Sequence, residues 1–208
     1  MATLRIAVLG AGNIGGTLGR KWTKAGHTVA YGVRDPQNAE AQTLRQSGAS
    51  VTVGTVADAL GTDPQVILFA IPGGTMEATI ATHAAQINGR TVIDAANRLG
   101  GGGPTDSFAN FQQQTPTAQV YRAFNTLGWE NFENPVFNGM QGDLFFAGPE
   151  GDSLAQVEQL ISDVGLRPIR LGGTDQIGAV DALLGVWFTL SKTLGRHLAF
   201  KVLSDASN

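Results

Sequence analysis

The fold is decided by one stretch near the start of the chain, Gly10-Ala11-Gly12-Asn13-Ile14-Gly15. It follows an apolar run, residues 4–9, whose composition predicts a buried parallel strand. It opens a helical pattern that extends to Ala25. A strand, a glycine-rich turn and a helix in this order are typical of folds that bind a dinucleotide at the turn. The alternative is a glycine turn that has arisen by chance and binds nothing.

Each of the three glycines has a separate role in such a turn. Gly10 permits the tight turn, Gly12 lets the backbone approach a pyrophosphate, and Gly15 lets the helix pack closely on the strand. The free N–H groups of Asn13 and Ile14, together with the helix dipole, then face the anion. We therefore predict that these five residues bind the cofactor.

Strand and helix patterns alternate through residues 1–97. Short apolar runs bounded by turn residues predict further strands at 28–32, 51–53, 66–70 and 91–94. Helical patterns separate them at 37–47, 55–60 and 76–87. This alternation predicts an α/β fold built on a doubly wound parallel sheet, the Rossmann fold.

The second half of the chain predicts a short C-terminal α/β extension that ends in a long helix. Strands are expected at 120–124, 143–147 and 167–171, and helices at 153–164 and 176–203. Residues 99–104 are rich in glycine and are expected to be either a mobile flap or a solvent loop, and a second loop is expected at 125–142. The length of 208 residues suits one sizeable core. We predict a single dinucleotide-binding domain of the Rossmann type, 1–208, with its core dinucleotide-binding part at 1–97 and the second-substrate side at 98–208.

The residues after the second predicted strand indicate which dinucleotide binds. An enzyme for NAD places an acid at the tip of this strand to hold the ribose 2′-hydroxyl. Here Val33 stands near the tip and Arg34 follows it, and a guanidinium offers a planar set of donors that matches a phosphate. We predict NADP(H), with Arg34 on the 2′-phosphate. The alternative is that Arg34 is a surface charge and that Asp35 takes the hydroxyl, although Asp35 precedes a proline and is expected to cap the next helix.

The ends of three predicted strands supply the rest of the site: Ala70, Ile71 and Pro72, then Asn97, then Phe124, Asn125 and Thr126. The carboxyl ends of parallel strands meet at one edge of the sheet, where ligands bind. The first four residues are expected to bind the cofactor, and the last three the second substrate. Asparagine also favours turns, so a structural role for Asn97 and Asn125 is the alternative.

Composition excludes several classes of function. The net charge of −3 disfavours nucleic acid and membranes as partners, and the lack of cysteine excludes thiol nucleophiles and thiolate metal sites. The three histidines stand apart, so no metal site is expected. A cytoplasmic protein is expected, because Met1 leads directly into a strand and no run approaches the ~18 apolar residues of a membrane span. No residue stands out as a catalytic acid, base or nucleophile. The predicted reaction is therefore hydride transfer to a small-molecule acceptor, in which the cofactor carries the chemistry.

Several stretches of the chain resemble the NADP oxidoreductases that act with the deazaflavin coenzyme F420. They are Gly10 to Gly16, Ala25 to His27, Gly32 to Pro36, Asp94 to Asn97, Arg122 to Thr126, and Asn134 to Phe137. The resemblance covers nearly the whole chain, and the same fold occurs as the cytosolic domain of membrane ferric reductases. It implies a single Rossmann domain, NADP at the glycine turn, and a deazaflavin or flavin-like ring stacked on the nicotinamide.

Two departures from the family pattern leave the second substrate open. Val33 replaces a serine or threonine, which removes one hydroxyl from the expected 2′-phosphate site, and residues 183–188 are more aromatic than expected of a deazaflavin reductase. The alternative enzyme is a β-hydroxyacid dehydrogenase or imine reductase acting on a small carbonyl or imine. Its candidate proton donor is Lys192, although a solvated lysine is the simpler interpretation. A third hypothesis is a non-enzymatic NADP-binding redox sensor.

The last predicted helix carries more apolar residues than one packed face requires. They are Val180, Leu183, Leu184, Trp187, Phe188, Leu190, Leu194 and Leu198. One stripe can pack on the sheet, and the excess needs a second partner. We expect a homodimer that buries part of this helix, with Trp187 or Phe188 reaching the second substrate. The alternative is a helix that lies wholly inside one subunit.

Overall fold

One large sheet organises the protein. The computed structural model describes residues 2–100 and 102–205, and it contains an eight-stranded sheet and a two-stranded hairpin. The strands of the large sheet are β1 (Arg5–Leu9), β2 (Thr28–Gly32), β3 (Val51–Gly54), β4 (Val66–Phe69), β5 (Thr91–Asp94), β6 (Gln119–Arg122), β9 (Asp143–Ala147) and β10 (Arg167–Gly172). The hairpin is β7 (Val136–Phe137) with β8 (Met140–Gln141).

The strand order of the large sheet is β10-β9-β6-β5-β4-β1-β2-β3. Neighbouring strands are parallel except β6 and β9, which pair antiparallel. The strand β1 lies between β2 and β4, so the chain changes direction across the sheet at β1. A crevice for a ligand forms at such a switch point, beyond the carboxyl ends of the strands. The doubly wound parallel sheet predicted from the sequence is confirmed.

Helices cover both faces of this sheet. They are α1 (Asn13–Lys24), α2 (Ala39–Arg45), α3 (Val56–Gly61), α4 (Met76–Thr82), α5 (Ala84–Ile87), α6 (Phe108–Gln114), α7 (Trp129–Glu133), α8 (Asp152–Val164) and α9 (Ile177–Leu194). Two apolar clusters lie under them, one on each face, because the sheet strands are buried on both sides. Trp22 of α1 is completely buried and donates its indole N–H to the Leu160 carbonyl of α8, 2.9 Å away.

The structure differs from the sequence prediction in the irregular parts of the chain. The helix expected at 76–87 is interrupted at His83, and Thr75 ends a short 3-10 turn without capping α4 through its side chain. The region after residue 98 contains α6, which no prediction included, and the loop expected at 125–142 contains α7 and the hairpin. Short elements of this kind carry little periodicity, so pattern alone does not reveal them. Gly101, inside the predicted glycine-rich break, lies outside the described residues.

The final helix is shorter than predicted. It ends at Leu194 rather than near residue 203, where Gly195 leaves the helix with a positive φ of +82°, a backbone angle that favours glycine. The segment that follows folds back on the sheet edge, where the buried carboxylate of Asp143 accepts the Val202 N–H at 2.6 Å and is paired with Lys201 and Arg167. The C-terminal extension predicted from the sequence is therefore present, with an ordered strap in place of the last helical turns.

One helical segment has the length and hydropathy of a membrane span, although the sequence analysis expected no such stretch. Among the described residues, Thr174–Leu194 is long enough, and with a mean hydropathy of 1.3 apolar enough, to cross a bilayer by length and composition alone. Its apolar side chains are divided between the two sides of the helix. Val180, Leu184 and Trp187 are buried, whereas Val186, Phe188 and Leu194 are exposed.

Candidate functional site

A cleft of about 650 Å³ opens at the switch point of the sheet. Its walls come from the turn after β1, the tip of β2, the start of α2 and the turn after β4. The lining residues are Gly10, Ala11, Gly12, Gly32, Val33, Arg34, Asp35, Asn38, Glu40, Ala41, Leu44, Val56, Ile71, Pro72, Thr75 and Thr79. Six residues predicted to bind the cofactor are among them: Gly10, Gly12, Val33, Arg34, Ile71 and Pro72.

The three glycines of the turn are held in the arrangement that the sequence predicts. Gly10 has φ of +92°, and a Cβ atom there would collide with the Ala70 carbonyl oxygen. A Cβ atom on Gly15 would collide with the carbonyl oxygen of Gly10, so only glycine lets α1 approach β1 this closely. Around Gly12, by contrast, no atom lies within 4 Å of the position of a Cβ. Gly12 therefore faces open space, in which a ligand has direct access to the backbone.

The start of α1 offers backbone donors to that space. The N–H groups of Asn13, Ile14 and Gly15 have no hydrogen-bond partner among the described residues. The first N–H group of the helix that donates a hydrogen bond is that of Gly16, to the Gly12 carbonyl oxygen at 2.7 Å. No side chain caps this helix, and no acid lies in its first turn. A twelve-residue helix with an uncapped, unneutralised N-terminus is a site for an anion.

The tip of β2 brings one cation to the cleft. Arg34 is exposed, and no hydrogen bond or ion pair of its guanidinium occurs within the part of the chain that the structure describes. Asp35 does not cap α2, which corrects the sequence prediction. Its carboxylate accepts the Gln37 N–H at 2.9 Å within a turn, and the cap is Asn38, which accepts the Ala41 N–H at 2.8 Å.

The cleft is not uniformly positive. Arg34 is the one cation among its lining residues, and Asp35 and Glu40 are acids on the same walls. Both acids are exposed to solvent, which screens their repulsion of a bound phosphate. Recognition of a 2′-phosphate at this position therefore depends on Arg34, since Val33 contributes no hydroxyl.

At the far end of the crevice, the predicted asparagines contact each other. Asn97 donates from Nδ2 to the Asn125 carbonyl oxygen at 2.8 Å, and its Oδ1 accepts from Arg122 Nη2 at 2.7 Å. Asn125 in turn donates from Nδ2 to the Asp181 carboxylate at 2.8 Å. The two side chains thus hold the ends of β5 and β6 together, which agrees with the structural alternative considered for them.

A buried charge network that the sequence analysis did not identify lies beneath these ends. Arg122 is 1% exposed and donates to the carbonyl oxygens of Asp94 and Ala96 as well as to Asp181. Asp94 accepts the N–H groups of Ala96 and Ser107, each at 3.0 Å. Burial raises the pKa of Asp94 to about 6, although the Arg122 charge and those two N–H groups oppose the shift. The signal available in the sequence was a charged residue at the end of each of two apolar strands.

The four residues expected to contact the second substrate are buried. Phe124, Asn125, Thr126 and Trp187 are each 1% or 2% exposed. Phe124 packs edge-on against Trp22 and Phe132 and has a left-handed backbone, with φ of +62°. Trp187 donates its indole N–H to the Leu198 carbonyl at 3.0 Å. All four side chains therefore pack in the interior of the protein.

His27 has a structural position and Lys192 a surface position. His27 is buried at the opposite edge of the sheet, where Nδ1 accepts the Leu4 N–H and Nε2 lies 2.9 Å from Asp163. Lys192 is exposed on α9. Among the described residues, no group of three acids or histidines is arranged to hold a metal ion.

Comparison with known proteins identifies the first half of the chain. Residues 5–98 match the family model described as "NADP oxidoreductase coenzyme F420-dependent". A glycerol-3-phosphate dehydrogenase [NAD(P)+] of Pseudomonas fluorescens is 29% identical over 98 residues, which is 42% of this chain. The chain spans only 29% of the length of that relative, so the likeness is confined to the nucleotide-binding part.

Solved structures extend the likeness to the whole chain. A candidate F420-dependent NADP reductase from Arthrobacter sp. FB24 superposes with a TM-score of 0.83 at 27% identity, over 97% of this chain and 100% of that one. A hypothetical protein from Sinorhizobium meliloti is 30% identical over 83% of this chain and 86% of its own, with a TM-score of 0.64. A reductive aminase from Aspergillus terreus, at 19% identity and a TM-score of 0.70, shares the fold over 92% of this chain and 63% of its own. Residues 5–98 therefore belong to the family of coenzyme F420-dependent NADP oxidoreductases, and the fold of the whole chain is similar to that of such a reductase.

Proposed function

We propose that this protein is an oxidoreductase that transfers a hydride between NADP(H) and a second redox ring, for which the deazaflavin of coenzyme F420 is the best candidate. The observation that carries the proposal is the combination of free N–H groups at the start of α1 with the unpaired guanidinium of Arg34 on the same cleft. The first suits a pyrophosphate and the second a 2′-phosphate. No residue is assigned as a catalytic acid or base.

The residues of the cleft bind and orient the cofactor in this proposal. Gly10, Gly12 and Gly15 bring the backbone to the pyrophosphate, with donors from Asn13 and Ile14. Arg34 binds the 2′-phosphate beside Val33, and Ile71 and Pro72 flank the ribose or the nicotinamide on the β4 side. Ala70 and Asn97 support the cofactor from the strand ends. When bound, the nicotinamide supplies the hydride, and the protein supplies the positioning.

The position of the second substrate follows from that of the nicotinamide. If the adenine half lay between β2 and α4, the nicotinamide half would extend toward the ends of β5 and β6. Phe124, Asn125 and Thr126 follow β6 at that end, and these three residues and Trp187 are buried. The family supports a deazaflavin as the ring that stacks there, and a flavin is the related candidate.

The alternative of an imine reductase or β-hydroxyacid dehydrogenase has less support. The shared fold covers only 63% of the reductive aminase from Aspergillus terreus. The candidate proton donor Lys192 lies on the solvent side of α9, whereas the network at the strand ends holds Asp181 of that helix. A non-enzymatic redox sensor requires nothing beyond the nucleotide cleft, so an assay separates it from an enzyme.

We further propose that the protein is a homodimer, as expected from the apolar excess of α9. On that helix Val186 is 48% exposed and Leu194 67%, and Phe188 and Leu190 are also exposed. These side chains are available to pack against a second copy. Sedimentation equilibrium at micromolar concentration tests this proposal. A species that keeps the 21.7 kDa chain mass as the concentration rises contradicts it.

The cytoplasmic location stays a prediction.

The proposed reaction is tested by following the absorbance of reduced nicotinamide with a panel of acceptors. Coenzyme F420, a flavin, a quinone, a ferric chelate and a small carbonyl are each offered with NADPH and, separately, with NADH. We expect oxidation of NADPH with coenzyme F420 and little oxidation of NADH. Tight binding of NADPH without turnover on any acceptor would favour the redox sensor.

A further inference from the structure

We infer that Arg98 binds an anionic group on the second substrate, so that the acceptor carries a phosphate or a carboxylate beside its reactive ring. This inference rests on the proposed function and names the substrate class that the far end of the crevice selects. Arg98 lies immediately after Asn97, beyond the carboxyl end of β5.

Arg98 is one of two arginines whose guanidinium has no partner in the described part of the chain. Eight of the ten arginines in the sequence make hydrogen bonds or ion pairs through their side chains: Arg5, Arg20, Arg45, Arg90, Arg122, Arg167, Arg170 and Arg196. The remaining two are Arg34 and Arg98. Arg34 lies where a phosphate is expected, and Arg98 presents the same unpaired chemistry after a different strand.

The backbone of Arg98 is held firmly although its side chain is free. Its N–H donates to the Thr105 carbonyl at 2.9 Å, and Thr105 donates its hydroxyl to Asp181 at 2.8 Å. On the other side, Arg98 packs on Gly73, where an added Cβ would lie 2.7 Å from the Arg98 Cα. A long cation on a fixed backbone loses less freedom on binding than one on a mobile loop.

The acids around the end of β5 and the Thr105 loop are engaged elsewhere. Asp94 and Asp181 face the buried Arg122, and Asp106 accepts the Phe108 N–H at 2.7 Å. Arg98 is half-buried beyond the carboxyl end of β5, so solvent screens its charge only in part. An incoming anion is the group that would complete its hydrogen bonding.

The location separates Arg98 from the nucleotide phosphates. Arg34 follows β2 and Arg98 follows β5, and β1 and β4 lie between these two strands. Gly73 follows Pro72 of the cleft wall and lies against the Arg98 backbone, so a nicotinamide that passes Pro72 would approach Arg98 while the adenine half lies on the Arg34 side. An anion at Arg98 therefore belongs to the acceptor that meets the nicotinamide.

A matched pair of ligands tests this inference. Coenzyme F420 carries a phosphodiester and carboxylates on its side chain, whereas its neutral core keeps the deazaflavin ring and the ribityl chain without them. Binding of both to the full chain in the presence of NADP⁺ is measured by deazaflavin fluorescence polarisation, which needs no turnover. The proteins compared are wild type, Arg98→Gln, Arg98→Lys, and the control Arg5→Gln, which removes an exposed cation at the opposite edge of the sheet.

We expect Arg98→Gln to weaken coenzyme F420 roughly 10- to 100-fold, the range for one charge-assisted contact, and to leave the neutral core nearly unchanged. Arg98→Lys should recover part of the loss, and Arg5→Gln should match wild type. The inference is overturned if wild type binds the two ligands with equal affinity, or if Arg98→Gln weakens both ligands equally. It is also overturned if neither ligand binds. Selective binding through Arg98 without NADPH oxidation would instead contradict the proposed reaction and leave the anion site in place.

Discussion

Arg122 and Asp181 form a buried ion pair, with the guanidinium Nε 2.7 Å from the carboxylate Oδ1, that joins β6 to α9. The Asp181 carboxylate also accepts hydrogen bonds from the side chains of Asn125 and Thr105. One carboxylate on the final helix therefore ties together a strand end, the loop after β5 and α9. The C-terminal extension contributes to the floor of the crevice through this contact.

Removing the Asp181 charge should destabilise the protein. Asp181→Asn leaves Arg122 buried with Asp94 as its remaining counter-ion, and breaking a buried pair costs about 3–5 kcal/mol. Urea unfolding measures the loss. The control Asp63→Asn breaks an exposed pair with Arg5 and Arg90, for which little change in stability is expected. Similar losses in the two variants would contradict the role of Asp181.

Substituting Arg34 tests the assignment of the nucleotide. Arg34→Ala should weaken NADP(H) by about 1.5–3 kcal/mol, because a charged hydrogen-bonding group is lost, and should leave NAD(H) nearly unchanged. Calorimetry with both nucleotides gives the two values. Arg45→Ala is the control, since Arg45 is exposed on α2 and bonds the Val53 carbonyl outside the cleft. If NADP(H) and NAD(H) weaken equally in Arg34→Ala, Arg34 does not bind the 2′-phosphate.

The glycine turn contains a matched pair of substitutions with opposite outcomes. A side chain at Gly12 meets no protein atom within 4 Å, so Gly12→Val should fold normally and lose nucleotide binding. A Cβ at Gly15 collides with the Gly10 carbonyl, so Gly15→Ala should lower the melting temperature. Circular dichroism and nucleotide titration measure both effects. A folded Gly12→Val variant that binds NADPH normally would show that the ligand does not lie on this turn.

The pH dependence of stability should reveal the buried Asp94. Its pKa is raised to about 6 in the folded protein, from the ordinary value of 3.8. At a pH between these two values, the folded state therefore keeps a proton that the unfolded state has released. The Asp94 contribution is therefore fully present below pH 3.8 and is lost as the pH rises through about 6. The order of magnitude is about 3 kcal/mol. Relative to Asp94→Asn, which does not titrate, wild type should lose stability from pH 4 to pH 7. A difference that stays constant over this range would contradict the raised pKa.

The parts of the site that were predictable from the sequence are the local ones. The glycine turn and Arg34 act through backbone geometry and a strand tip, which a few consecutive residues determine, and the structure places both on the cleft. The roles of Asn97 and Asn125 depend on Arg122 and Asp181, which are 59 residues apart in the chain. Position at a strand end indicated where the asparagines lie, and it did not reveal that Asn97 accepts from Arg122 and that Asn125 donates to Asp181.

The surroundings of Trp187 are likewise not evident from the sequence. They change the effect that we expect from its substitution. An aromatic residue on an apolar helix suggested contact with the second substrate, whereas the side chain is 2% exposed and donates its indole N–H to Leu198. Trp187→Ala should therefore cost about 3–5 kcal/mol of folding free energy, as expected for a buried aromatic truncated to alanine.

Trp187→Phe separates the two contributions of this residue. It keeps most of the buried ring and loses the N–H, which leaves the Leu198 carbonyl without that donor and should cost about 1–3 kcal/mol. The guanidinium of Arg196, 5.1 Å from the Trp187 ring centroid, also loses its indole partner. Chemical denaturation of both variants gives the two losses. An alanine variant that keeps wild-type stability and changes only the KM for the acceptor would return Trp187 to the substrate pocket.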